Sequence, residues 1–149
     1  MKATPHLHEQ TSQQLLIDLL FQEQCSCVIR SGDTIRLFRE RGVKDLFRLL
    51  KQEPEFLRGA SLADKVVGKG AAALMILGGV RELFADVISY PALALLGRYK
   101  IPVHYTLAVE QIQNRNQNGR CPVEQRCLAC ETPEECLPLI EEFLTLQER

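Results

Sequence analysis

Between Gly59 and Pro91 two apolar runs of strand length flank a longer segment that is apolar on nearly every side. Gly59-Ala60-Ser61-Leu62-Ala63 reads as a strand of small residues. Asp64 then offers an N-cap for a helix over about residues 65–77, carrying Val66, Val67, Ala71, Ala72, Ala73, Leu74, Met75, Ile76 and Leu77. A helix without a wide polar face has to sit in the interior. Gly78-Gly79 stops it, and Val80 to Ser89 supplies the next strand. Two strands joined by a buried helix form a βαβ unit, with parallel strands and a right-handed crossover. The demand for burial limits the fold strongly, because a parallel sheet is normally covered on both faces.

The rest of the chain extends this unit. Residues 1–10 read as a loose terminus, and Thr11 or Ser12 as the cap of a helix running through Phe21. Cys25 to Arg30 and Thr34 to Phe38 are strand-like runs joined by Ser31-Gly32-Asp33, which predicts a β-hairpin. Val43, Leu46, Phe47 and Leu50 recur at helical spacing over about residues 43–52, and Pro54 limits that helix. Ala92 to Leu96 reads as a short helix with Gly97 at its C′ position, and Val103, Tyr105, Leu107 and Val109 alternate as a last strand. Gln111 to Gly119 is a polar loop. Thr132-Pro133-Glu134-Glu135 is a capping box that opens a terminal helix with Cys136, Leu139, Ile140, Phe143 and Leu144 on its core face. The expected architecture is one domain over residues 11–149: a three-layer α/β/α sandwich around a mixed sheet of about five strands.

Composition removes several functions. The chain has 149 residues, of which 46% are hydrophobic, so it can bury a core without disulfides or metal. Eighteen basic residues against nineteen acidic ones leave a net charge of −1, which disfavours nucleic acid as a partner. The basic cluster Arg30, Arg36, Arg39, Arg41, Lys44, Arg48 and Lys51 is diluted by Asp33, Glu40 and Asp45 and lacks an interleaved aromatic platform. No apolar run reaches membrane-spanning length, and Met1 to Gln14 is too polar for a signal peptide. Cytoplasmic localisation is expected. Six cysteines are too few for a disulfide scaffold, so thiols here serve as core residues, nucleophiles or metal ligands.

Four segments carry a family resemblance: Arg39-Glu40-Arg41-Gly42-Val43, Ala63-Asp64-Lys65-Val66-Val67-Gly68-Lys69, Val87-Ile88-Ser89-Tyr90-Pro91-Ala92-Leu93, and Asn114-Arg115 followed by Cys121-Pro122. Over about residues 14–145 the chain resembles an uncharacterised family, the "domain of unknown function eighteen-ninety-three". The order of elements is also similar to the cytidine-deaminase-like fold. That resemblance implies a zinc site with one ligand at the start of the buried helix and two in a Pro-Cys-x-x-Cys turn. This sequence has Asp64-Lys65-Val66 at the first position and Pro91-Ala92-Leu93-Ala94-Leu95 at the second. Alanine and leucine side chains cannot bind Zn²⁺, so no catalytic zinc is expected and zinc-dependent deamination is disfavoured.

The candidate site is built around the buried helix. A helix N-terminus presents unpaired N–H groups and partial positive charge. With Lys65 and Lys69 one turn apart, two ammonium groups on a largely apolar helix suit a small anionic or nucleotide-like partner. Gly68 would let a ligand approach. Asp64 as a plain cap, with both lysines turned to solvent, is the bland alternative. Ser89 is either a ligand donor or a helix cap. Asn114 and Arg115 in the loop are candidates to close the pocket. Cys121, at the cap of a short helix opened by Pro122, is the candidate nucleophile, with Asp64 and Lys65 as its catalytic company. Cys121, Cys127, Cys130 and Cys136 form a C-x5-C-x2-C-x5-C set whose centre has metal-ligand spacing.

The leading expectation is therefore a deaminase-like domain without zinc ligands that binds a small anion at a helix N-terminus, with room for cysteine chemistry. One rival is a zinc or iron–sulfur accessory module using the late cysteines. Another is a non-catalytic interaction domain, for which an exposed sheet edge would speak. A cofactor cannot be assigned, and the oligomeric state stays open, a homo-oligomer included.

Overall fold

The computed structural model describes residues 5–40, 42–114 and 119–148, with side chains from residue 12 onward. Helix α1 spans Pro5–Gln22, so the caps expected at Thr11 or Ser12 fall inside a helix that has already begun. Strands β1 (Cys27–Ser31) and β2 (Thr34–Phe38) form the expected hairpin, with Gly32 at a positive φ of 59° in the turn. Helix α2 (Lys44–Gln52) follows, then a short α3 (Pro54–Leu57) that periodicity did not reveal.

Strand β3 runs from Ser61 to Val67, and helix α4 from Lys69 to Gly78. This corrects the expected helix start. Asp64 and Lys65 belong to the strand, and Gly68, in extended conformation, is the residue that precedes α4. Two causes explain the shift. Val66 and Val67 are β-branched and favour extended backbone. Pairing with the neighbouring strand β4 (Glu82–Ser89) continues to Val67↔Ile88. Helix α5 (Tyr90–Arg98) is longer than expected at both ends and takes in Gly97. Strand β5 (Val103–Val109), helix α6 (Pro122–Cys127) and helix α7 (Pro133–Gln147) lie where the sequence placed them, and the capping box at Thr132 and Glu135 forms in full.

The five strands make one mixed sheet in the order β2-β1-β3-β4-β5. β1 is antiparallel to both β2 and β3, while β3, β4 and β5 are mutually parallel. Adjacent parallel strands with right-handed crossovers put α4 and α5 on the same face. The main core gathers there, with Leu62, Leu83, Ala85 and Ile88 of the sheet meeting Leu74 and Met75 of α4, Leu95 and Leu96 of α5, and Ile140 of α7. A second, smaller core lies under α1, where Leu16 and Leu20 meet Val28, Ala63 and Phe84. The two faces are thus unequally covered. β5 shows it most clearly, since the four residues His104 to Thr106 and Leu107 are all exposed. No described helix is long and apolar enough to cross a membrane.

Candidate functional site

Parallel strands β3 and β4 deliver Gly68 and Ser89 side by side at their carboxyl ends, the usual ligand position in such sheets. The N–H groups at the start of α4 need an acceptor there. The chain supplies one itself. Glu124, at the third position of α6, is 1% exposed and points its carboxylate at this spot. Its Oε2 accepts from the Lys69 backbone N–H at 2.9 Å and from the Ser89 hydroxyl. Its Oε1 accepts from the Ile112 N–H at 2.8 Å and from Arg120 Nη1 at 3.3 Å. Four donors from four segments therefore converge on one internal anion, and the helix-terminus field makes that charge favourable.

Gly68 and Gly70 permit the approach. A Cβ at Gly68 would stand 3.2 Å from Glu124 Oε2, and one at Gly70 would collide with Val123 Cγ1 at 2.5 Å. Helix α6 lies this close to α4 because both positions lack side chains. Glu124 is the functional group that sequence reasoning missed. A Glu at the third helical position normally reaches back to its own cap. Here it serves a different helix, and nothing local marks the difference.

The two lysines part company. Lys69 is 7% exposed, and its ammonium donates to the carbonyls of Leu128, at 2.9 Å, and Cys130. It thus caps the carboxyl end of α6, where a cation meets the negative end of the backbone dipoles. Lys65 leaves the strand toward α1, with Nζ 5.9 Å from the centroid of the Phe21 ring. They do not share a cleft, because one sits on a strand and the other on a helix that starts two residues after that strand ends. Ser89 does what a cap does, accepting from the Ala92 N–H at 3.2 Å, and it also donates to Glu124.

Asp64 is nearly buried on β3, opposite Cys27 of β1. Its carboxylate accepts from the Val66 N–H at 3.4 Å. Loss of water pushes its pKa up to about 7, against hydrogen bonds from Val66 and Lys65 that pull it down. Burial also raises the Cys27 thiol well above the usual range, with the neighbouring Asp64 charge adding to it.

Cys121 is half-buried at the cap of α6, its N–H donating to the Ile112 carbonyl at 2.7 Å. Asn114 closes the polar loop through a 2.8 Å bond from its N–H to the Gly119 carbonyl. Arg115, with Asn116 and Asn118, lies outside the described residues. The late cysteines split into one and three. Cys136 of α7 interacts with both Cys127 of α6 and Cys130 of the turn. The hydrogen bond with Cys136 lowers the Cys127 thiol, while burial lifts Cys130 to about 11. Cys136 is raised, first by its bond to Cys127. Cys121 and Cys127 bracket α6 and so stand roughly 9 Å apart along its axis. Among the described residues no three His, Cys, Asp or Glu side chains are arranged to hold a metal ion. All six cysteines are free thiols.

Four residues of the basic cluster, Arg36, Arg39, Lys44 and Arg48, form surface ion pairs, and Arg41 lies outside the described residues. Arg36 and Arg48 both meet Glu53, Arg39 meets Glu23, and Lys44 meets Glu40. Two hollows lie away from the carboxyl ends of the parallel strands. One, of about 330 Å³, is lined by Arg30, Ser61, Arg81 and Glu82 at the start of β3 and β4, and the other lies between α2 and α7.

These features define an α/β domain with a mixed five-stranded sheet and an internal carboxylate at the ligand end of its parallel strands. The family model for "Domain of unknown function (DUF1893)", TM1506, matches residues 15–144, and the chain belongs to that family. Its fold is similar to the crystal structure of a DUF1893 family protein, TM1506, from Thermotoga maritima. The TM-score is 0.79 at 25% sequence identity, covering 95% of this chain and 92% of the other. A search of curated proteins finds no match.

Proposed function

We propose that this chain is a non-catalytic interaction domain on a cytidine-deaminase-like scaffold, its former ligand seat filled by its own Glu124. The scaffold part rests on connectivity: hairpin, strand, buried helix, strand, helix, strand. In a zinc deaminase the metal ligands come from the front of the buried helix and from the turn after the next strand. In this chain those places carry Gly68-Lys69-Gly70 and Ser89-Tyr90-Pro91-Ala92, without a His or Cys. Moving the helix start from Asp64 to Lys69 shifts the first comparison by a few residues and leaves it equally poor in zinc ligands.

The observation that carries the reading is the seated carboxylate. An incoming anion would have to expel Glu124 from four hydrogen bonds and leave a buried charge unpartnered, which costs several kcal/mol. The cation best placed to repay that cost, Lys69, is committed to the carbonyls of Leu128 and Cys130. The rival is the anion-binding domain, with Lys65, Gly68, Lys69, Ser89, Asn114 and Arg115 as its binding residues and Cys121 as its reactive group.

Thermal unfolding in the presence of inorganic phosphate, nucleoside phosphates and small carboxylates separates the two. The intact chain is expected to show no ligand-specific rise in Tm. A Glu124→Gly variant is expected to melt lower and to recover part of the loss in formate or acetate, which fit the vacated seat. A nucleotide that stabilises the intact chain, and fails to stabilise Lys69→Ala, would establish the rival instead.

A further inference from the structure

We propose that Cys130 and Cys136 form an oxidation site: hydrogen peroxide reaching the Cys130 thiol converts the two into a reversible disulfide that ties the turn after α6 to helix α7. This thiol chemistry goes beyond the interaction reading and does not depend on what fills the front of α4.

Three segments bring the thiols together. Cys127 closes α6, Cys130 stands in the turn that follows, and Cys136 lies near the start of α7. Cys136 and Ile140 are one helical turn apart, so they share the buried face of α7. Cys127 Sγ reaches the same place: a Cβ at Gly70 would lie 3.7 Å from that sulfur and 3.5 Å from Ile140 Cδ1. The Cys130 N–H donates to the Cys127 carbonyl at 3.1 Å. Cys136 is the middle sulfur, hydrogen-bonded to Cys130 on one side and to Cys127 on the other. The backbone around Cys130 is held from both directions. Lys69 Nζ donates to the Leu128 and Cys130 carbonyls, and Glu135 Oε1 accepts from the N–H groups of Glu131, at 2.6 Å, and Thr132, at 3.2 Å. Two sulfurs in hydrogen-bond contact on a fixed frame need only a small side-chain movement to reach bonding distance.

Burial selects the oxidant and the order of events. Cys127 and Cys136 have no exposed surface, whereas Cys130 is 9% exposed and is the trio's contact with solvent. An opening that small admits hydrogen peroxide and excludes a bulky disulfide. Cys130 gives up its proton, its sulfur takes one peroxide oxygen as the O–O bond breaks, and the hydroxide released joins that proton as water, which leaves a sulfenic acid. The Cys136 sulfur then attacks the Cys130 sulfur. The S–O bond breaks, and hydroxide departs with the Cys136 proton as a second water. In all, two thiols lose two electrons and one peroxide is reduced to two waters. Cys127 stays a thiol. A thiol of low pKa is the better leaving group, so the lasting disulfide joins the two sulfurs of higher pKa. Burial raises Cys130, and Cys136 is raised first by its bond to Cys127, the same bond that lowers Cys127. The raised Cys130 thiol also makes the first step slow, because the thiolate is the form that reacts.

Long exposure of the intact, folded chain to hydrogen peroxide tests this, with remaining peroxide destroyed, remaining thiols capped by N-ethylmaleimide in denaturant, and the products read by peptide mass mapping. The expected product holds a link between Cys130 and Cys136, formed with loss of two hydrogens and reversed by dithiothreitol, with Cys25, Cys27 and Cys127 capped. Cys121, at the other end of α6, is the internal comparison and is expected to take no part in the link. Cys127→Ser is expected to leave the link in place. Cys136→Ser is expected to abolish it and to leave Cys130 as a sulfenic acid that dimedone captures. Should Cys136→Ser not fold, the map of the intact chain still decides the matter. Cys130 and Cys136 both found capped, under exposure that oxidises Cys121, would show that the trio only fills the core and would overturn the proposal. A link to Cys127, or a link that forms only after urea has unfolded the chain, would overturn it equally.

Discussion

Glu124 and Asp64 are both buried carboxyl groups, and they differ in the donors that reach them. Glu124 has four donors, including the guanidinium of Arg120 and the front of α4. Asp64 has two weaker backbone donors and little water, which raises its pKa to about 7 from an ordinary value near 4. The folded state therefore favours the neutral acid. The contribution is fully present below about pH 4 and is lost as pH rises toward 7. Asp64→Asn keeps an acceptor for the Val66 N–H and removes the ionisation. Its stability relative to the parent is expected to rise between pH 4 and pH 8, by at most roughly 4 kcal/mol, as measured by urea unfolding across that range. A difference independent of pH would show that Asp64 titrates as an ordinary carboxyl.

At the scale of elements, the site depends on how closely α6 approaches α4. Gly70 sets that distance, since any side chain there meets Val123 first and Ile140 and Cys127 next. Gly70→Ala improves helix propensity, which for an exposed position would stabilise by up to about 1 kcal/mol. Overpacking outweighs it here, and a net loss of about 1–3 kcal/mol is expected. The loss is expected to be local in character, with faster amide exchange at Ile112 and Lys69 as the Glu124 carboxylate is drawn away. Unchanged exchange at both amides would mean that α6 accommodates the methyl without moving Glu124.

For the whole molecule, the unequal covering of the sheet matters most. One face carries the packed layer of α4, α5 and α7, and the other has α1 over a small patch of β1, β3 and Phe84. A smaller core holds its helix with less free energy, so α1 is expected to open before the rest. Native-state hydrogen exchange should find α1 amides opening at lower free energy than those of α4. Leu20→Ala, a fully buried truncation costing about 2–5 kcal/mol, should lower the α1 values and leave the α4 values governed by global unfolding. Amides of α1 and α4 that exchange together would show a single cooperative unit. The same asymmetry leaves His104, Tyr105, Thr106 and Leu107 of β5 exposed.

Local chemistry made much of this fold legible. The turn at Gly32, the Ser89 cap, Pro122 opening α6 and the Thr132 capping box each act within a few residues, so they can be read without tertiary information. Where reading failed, the deciding partner was distant in the chain. Asp64 and Lys65 looked like a helix start, and pairing with β4 drew them into a strand, which sent the two lysines to different places. Sequence alone pointed to a negative charge at the front of the buried helix, because unpaired N–H groups at a helix terminus favour one. Only the tertiary structure decided that the charge is Glu124, because that contact joins residues 55 positions apart and no local rule reaches so far.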